Sequence, residues 1–146
     1  MIYLDNFRST MVAPEVWEAM HAAAVDEYAV PAAFTQCGTG AAELIERAQN
    51  RLATAIGASQ NEVVFTGSGT EAINIALWGS TWAQAVDKPE IVTSEIEYPA
   101  TLGVYKALEK EGYKTHYIKV DGEGRYDLGQ LSSVLNDHTA MVSLMG

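Results

Sequence analysis

The sequence predicts an α/β protein, an incomplete, open, mainly parallel sheet flanked by helices. Three observations carry that prediction. From Val63 to Met145, apolar β-branched runs alternate with segments of helical period, in the order strand–helix–strand–helix–strand–helix–strand. Breakers punctuate the segments at Gly57, at Asp87-Lys88-Pro89 and at Gly112. The composition is globular: 48% hydrophobic and 19% charged over 146 residues, enough for one domain or a large piece of a bigger one.

The chain opens on a short apolar segment, Ile2 to Leu4, followed by the polar Asp5-Asn6-Phe7-Arg8-Ser9-Thr10. Residues 1–12 read as an N-terminal segment and 13–146 as a partial large domain, truncated at its C-terminal end. Pro14 and Glu15 suit the first turn of a helix. Val16, Trp17, Met20, Ala23 and Ala24 then recur at three- and four-residue spacing, which predicts a helix over 14–26. Residues 28–40 hold no period and read as irregular. Leu44, Ala48, Leu52 and Ile56 predict a long helix from Ala41, stopped by Gly57.

The next stretch is the most informative. Val63-Val64-Phe65 is expected to be a short buried strand, Thr66-Gly67-Ser68-Gly69 a turn, and the helix to run from about Thr70 to Val86. Gly67 and Gly69 permit unusual backbone angles and close approach, and Ser68 and Thr70 are N-cap types with hydroxyl donors. A helix N-terminus behind a glycine-rich turn is an anion site, most often for phosphate. The same residues also suit a tight turn with no ligand. The helix is apolar around much of its surface (Ile73, Ile75, Ala76, Leu77, Trp78), so deep burial is expected, with a close neighbour at Gly79.

Beyond it, Glu90 to Ser94 reads as a strand, Glu95 to Pro99 as a loop and Thr101 to Lys110 as a helix. Leu102, Tyr105 and Leu108 are its inward residues. Lys114 to Val120 alternates and suits a strand near a sheet edge. Asp121 to Gly124 is a turn, Asp127 to Leu135 a short helix, and Thr139 to Met145 a fourth, central-looking strand. In such sheets ligands lie beyond the carboxyl ends of the strands, which is where Thr66–Thr70, Ser94–Pro99 and the residues after Met145 would fall. Ending at Gly146, just past a buried strand, suggests a fragment or one half of a split protein.

Charge narrows the partners. Nine Lys and Arg against nineteen Asp and Glu give a formal charge of −10, which disfavours nucleic acid and anionic membrane surfaces. Cys37 is the single cysteine, so no intramolecular disulfide forms and a reducing cytoplasm fits. It reads as a small buried or loop residue. His21, His116 and His138 are scattered, and no metal is assigned.

The order of these segments resembles the N-terminal part of the cysteine desulfurases, members of the class V aminotransferase family of pyridoxal-phosphate enzymes of fold type I. The residues that carry the resemblance are Tyr3-Leu4-Asp5-Asn6 with Ser9-Thr10, Phe65 to Glu71 with Asn74, Val92 to Ala100, Asp121 to Gly124, and Thr139 to Met145. The resemblance implies pyridoxal 5'-phosphate as cofactor, its phosphate held by Ser68, Gly69 and Thr70 and its ring stacked on Tyr98. It implies sulfur removal from L-cysteine to leave alanine, a homodimer, and a cytoplasmic setting. A complementary C-terminal half is the other partner in view.

Three departures stand out. Ser68 stands where the family has glycine. Tyr98 stands where the desulfurases have histidine; its flat ring can stack, but a phenol, with an ordinary pKa of about 10, shuttles protons poorly near neutrality. This keeps an aminotransferase reaction in view. Arg8 stands where the family has a small residue near the substrate, and suits either a substrate carboxylate or plain solvation. The family's Schiff-base lysine lies further along. Lys88, Lys106, Lys110, Lys114 and Lys119 match none of its context, so the chain alone is expected to be inactive. A split or degenerate non-catalytic subunit remains a second reading. A flavodoxin-like, flavin-binding electron carrier is a third, although there the phosphate turn follows the first strand.

Overall fold

A computed structural model describes residues 2–6, 9–84 and 89–146. Arg8, expected near a substrate, and Lys88 lie outside the described residues. The chain forms two compact units, Met1–Phe65 and Thr66–Gly146.

The first unit is helical. Helix α1 spans Pro14–Asp26, as the spacing predicts, with Pro14 in its first turn. None of its residues is buried, so the apolar stripe of Val16, Trp17 and Met20 faces solvent. Helix α2 spans Gln36–Ile56 and begins five residues before the expected Ala41. The early start has a local cause: the Thr35 hydroxyl accepts the Gly38 N–H at 3.1 Å. Gly38, which reads as a breaker, is required here by packing; a Cβ on it would meet the Ala33 carbonyl oxygen at 2.4 Å. Helix α2 ends as expected at Gly57, whose φ of 70° is left-handed. A 3-10 turn, Gln60–Glu62, follows, where the Glu62 carboxylate accepts the Ser59 N–H at 2.6 Å.

Val63 to Phe65 corrects the sequence reading. The segment is extended at Val63, but it belongs to no strand, and Val64 and Phe65 are exposed. Its propensity is real, yet a strand needs a ladder partner, and among the described residues none pairs with it. The Val63 carbonyl is taken instead by the Gln49 side chain at 3.1 Å.

The second unit holds the sheet: α3 (Gly69–Trp82), β1 (Glu90–Ser94), α4 (Pro99–Lys110), β2 (Lys114–Ile118), α5 (Leu128–Val134) and β3 (Thr139–Val142). The strand order is β2-β1-β3, all parallel. Strand β1 is central, and Ile91 to Ser94 are all buried, as a parallel strand covered on both faces should be. The core joins Leu77 of α3 to Ile91 of β1 and to Val104, Tyr105 and Leu108 of α4. Fully burying a residue such as Leu108 contributes about 2 kcal/mol.

Both outer strands are shorter than their sequence runs, for visible reasons. Strand β2 is at the edge, as expected, but stops at Ile118 because the Lys119 N–H donates to the Gln130 side chain at 2.8 Å. Strand β3, expected to be central, is the other edge. Its ladder ends with the Ser143 N–H on the Val92 carbonyl at 2.9 Å, and the Met145 N–H turns to the Glu97 carboxylate. Helix α3 is less buried than its composition suggests. Leu77 and Thr81 are buried while Ile75 and Trp82 stay exposed, and nothing lies within 4 Å of a Cβ placed on Gly79. Thus no close neighbour among the described residues explains that glycine.

Candidate functional site

The turn before α3 is built almost wholly from its own residues. Ser68 is the N-cap, extended at φ −165°, and its hydroxyl accepts the Glu71 N–H at 3.2 Å. Thr66 donates its hydroxyl to the Ser68 carbonyl at 3.1 Å. Asn74 donates its amide to the Thr70 carbonyl at 2.8 Å, bracing the first turn. Glu71 reaches back, and its carboxylate accepts the Gly67 N–H at 2.6 Å. An acid in the first turn also suits the helix dipole.

This wiring sorts the donors. The Gly67 N–H is committed to Glu71, and the Glu71 N–H to Ser68. The N–H groups of Gly69 and Thr70 take no acceptor among the described residues, as expected for the first two positions of a helix. The Thr70 hydroxyl is likewise without a partner there, and both residues are exposed. Neither Gly67 nor Gly69 has positive φ, so the unusual backbone angles that glycine permits are not used here. What Gly69 offers is open space: a Cβ placed there meets nothing within 4 Å.

Tyr98 belongs to the same compact unit, at the other expected element. It is the N-cap of α4, four residues past the end of β1, with Pro99 at the first helical position. The residue is 58% exposed, and its ring stacks on no other ring among the described residues. No hydrogen bond joins Tyr98 to the Ser68–Thr70 turn among those residues. Helices α3 and α4 pack against each other through Leu77, Val104 and Leu108. Ser68, Gly69 and Thr70 thus form one local cluster, Tyr98 a second, and Arg8 falls outside the described residues.

Sequence reasoning missed Glu97. It is only 8% exposed, and its Oε1 accepts both the Ser94 hydroxyl at 3.2 Å and the Met145 N–H at 2.6 Å. No sequence signal marks it, because Glu95 stands in the same segment and the Met145 partner is a backbone group. Cys37 also differs from expectation: it lies on α2 and is exposed. No group of metal-binding side chains occurs among the described residues. No helix there is long and apolar enough to cross a membrane.

At the opposite end of β1, Glu90 collects Lys114 at 3.2 Å, His116 at 2.9 Å and Asn136 at 3.0 Å. The Asn136 amide first, then His116 and Lys114, hold its carboxyl down at about 2. This group ties β1 to β2 and to the segment entering β3, and so belongs to the scaffold.

The comparisons with known proteins agree with this architecture. The sequence matches the aminotransferase class-V family over residues 2–146. It is 39% identical to a cysteine desulfurase of Trichormus azollae over 145 residues, covering 99% of this chain and 36% of that protein. It is 35% identical to the cysteine desulfurase IscS of Dictyoglomus turgidum, again over 99% of this chain and 36% of the relative. The chain therefore spans a little over a third of the length of these curated relatives. Among solved structures, a NifS-like protein superposes with a TM-score of 0.90 at 31% identity, covering 96% of this chain and 38% of that one. The apo cysteine desulfurase of Thermococcus onnurineus NA1 gives 0.82 at 25% identity, over 98% and 36% of the two chains. With its whole described length matched and its parallel sheet shared with these enzymes, the chain belongs to the class-V aminotransferase family.

Proposed function

We propose that this chain is the N-terminal, cofactor-anchoring portion of a cysteine desulfurase that uses pyridoxal 5'-phosphate. The observation that carries the reading is the pair of N–H groups at Gly69 and Thr70, beside the Thr70 hydroxyl at the start of α3, none of which has a partner among the described residues. Two N–H groups and a hydroxyl at one helix N-terminus suit a phosphate group. Gly69 leaves room for close approach, and Ser68 keeps its oxygen on the Glu71 N–H, so it shapes the turn more than it donates. Tyr98 offers an exposed ring face to the pyridine.

The division of labour follows from these residues. When bound, pyridoxal phosphate supplies an electron sink for bond changes at an amino-acid substrate. Gly69 and Thr70 fix the phosphate end and so set where the reactive end lies. Tyr98 limits ring tilt and shields one ring face from water. Removal of sulfur from L-cysteine further needs a lysine and a sulfur-accepting thiol, which the rest of a full-length enzyme would bring. Homodimerisation, or pairing with a complementary C-terminal half, belongs to the same reading. A class V aminotransferase is the second reading, and Tyr98 in place of the desulfurase histidine is the feature that favours it.

Titration of the purified chain with pyridoxal phosphate, followed by tryptophan fluorescence, tests the anchor. Saturable binding that inorganic phosphate displaces is expected, weakened about tenfold by Thr70→Ala, the cost of one hydrogen bond to a charged group. Binding that Thr70→Ala leaves unchanged overturns the assignment. No alanine should form from cysteine with this chain alone; its release would refute the assigned division of labour.

A further inference from the structure

We propose that Glu97 and Tyr126 are positioning residues that clamp the exit of β3 against the loop carrying Tyr98. The inference rests on the reading of Tyr98 as a ring-stacking residue. Its geometry stands on four hydrogen bonds among three chain segments.

The last ladder bond between β1 and β3 is the Ser143 N–H on the Val92 carbonyl. Past that point nothing in the sheet fixes the chain, yet Met145 is gripped on both sides of its backbone. Its N–H donates to the Glu97 carboxylate at 2.6 Å. Its carbonyl accepts the Tyr126 hydroxyl. Tyr126 is itself held, pairing with Val120 in an isolated antiparallel bridge. Glu97 is held by the Ser94 hydroxyl at the end of β1.

Glu97 has no room to act as a solvated surface acid. Burying a carboxylate is costly unless hydrogen bonds compensate, so the two donors decide where its side chain sits. The next residue is Tyr98, and Pro99 then locks the start of α4. With Glu97 anchored on one side and Pro99 on the other, the backbone at Tyr98 has little freedom. The clamp therefore sets two things at the carboxyl end of the sheet: the aim of the Tyr98 ring and the direction in which the chain leaves β3. In open α/β sheets both belong to the ligand crevice.

The test compares Glu97→Gln, Glu97→Ala and Tyr126→Phe in the full chain, with tyrosine rings isotope-labelled for NMR. Amide hydrogen exchange at Met145 reads the clamp, and the Tyr98 ring resonances read its aim. Glu97→Ala should speed Met145 exchange at least tenfold and shift the Tyr98 ring signals. Glu97→Gln, which keeps an accepting oxygen, should restore most of both. Tyr126→Phe should speed Met145 exchange by a smaller factor. Unchanged Met145 exchange in Glu97→Ala overturns the clamp. Faster exchange with an unmoved Tyr98 ring makes the bond merely structural and overturns the positioning role. If Glu97→Ala does not fold, Ser94→Ala, which frees the carboxylate from one donor, must shift the Tyr98 signals, and their constancy counts against the proposal. Titration with pyridoxal phosphate is a separate arm. If the parent chain fails to bind while the clamp effects appear, the reading of Tyr98 fails and the proposal with it, leaving the hydrogen bonds a structural brace. If it binds, Glu97→Ala should weaken that binding several-fold and Glu97→Gln should not.

Discussion

Two glycine-to-alanine substitutions should move stability in opposite directions. Gly79 lies inside α3, has negative φ, and faces open space where a methyl would project. Alanine there adds no contact, so its whole effect is helix propensity and a less flexible unfolded chain, about 0.8 kcal/mol in favour of the fold. Gly57 also faces open space, but its φ is 70°, a conformation that costs an alanine about 1 kcal/mol. The two variants should therefore differ by nearly 2 kcal/mol although neither creates a clash. For a chain of 146 residues, each step shifts the melting temperature by about 3–4 °C, up for Gly79→Ala and down for Gly57→Ala. Thermal denaturation monitored by circular dichroism measures both midpoints. Destabilisation by Gly79→Ala would refute the reasoning, because it would mean that another surface occupies the space beside α3.

Other expectations concern single side chains. Glu90 has a carboxyl held at about 2, below its ordinary 4.5, by Asn136, His116 and Lys114. Its stabilising share is present above the unfolded value and is lost as pH falls from about 4.5 through 2; Glu90→Gln should flatten that part of an acid-denaturation curve. Tyr105 is fully buried, burial pushes its phenol up, and its hydroxyl makes no hydrogen bond of good geometry among the described residues. Tyr105→Phe should thus change stability by less than about 0.5 kcal/mol in a urea melt, whereas a paired buried hydroxyl would cost more than about 1 kcal/mol. Removing the N-cap with Ser68→Ala should cost about 1 kcal/mol by the same measurement.

Much of this fold is legible in the sequence because local chemistry and tertiary structure agree. Pro14 and Gly57 sit at helix ends, as read from the sequence, and β1 is a continuous buried run. The early start of α2 escaped through a local cap, Thr35 on the Gly38 N–H; most of what else escaped depends on partners distant in sequence. Val63 to Phe65 has strand composition but no ladder partner among the described residues. Strand β3 is cut short by a carboxylate 48 residues earlier, and β2 by a glutamine 11 residues later. Helix α3 has the composition of a buried helix, yet Ile75 and Trp82 remain exposed beside Trp78. The candidate site divides in the same way. The Ser68 cap follows from the motif, as do the N–H groups of Gly69 and Thr70 that take no acceptor among the described residues. Glu97 could not be found that way, since its partner Met145 is a backbone group that any residue would supply.

The bond from Gly67 to Glu71 bears on how readily the turn before α3 accepts a ligand. That turn does not wait for an anion to give it shape, because a carboxylate of its own chain already fills one donor position. An incoming phosphate would meet a rehearsed geometry and spend little of its affinity on ordering the backbone. The same carboxylate also places a negative charge within the first helical turn, so a dianion bound there would have a like-charged neighbour. Occupancy of the turn should then be tuned by salt: low ionic strength sharpens that repulsion, and moderate ionic strength mutes it.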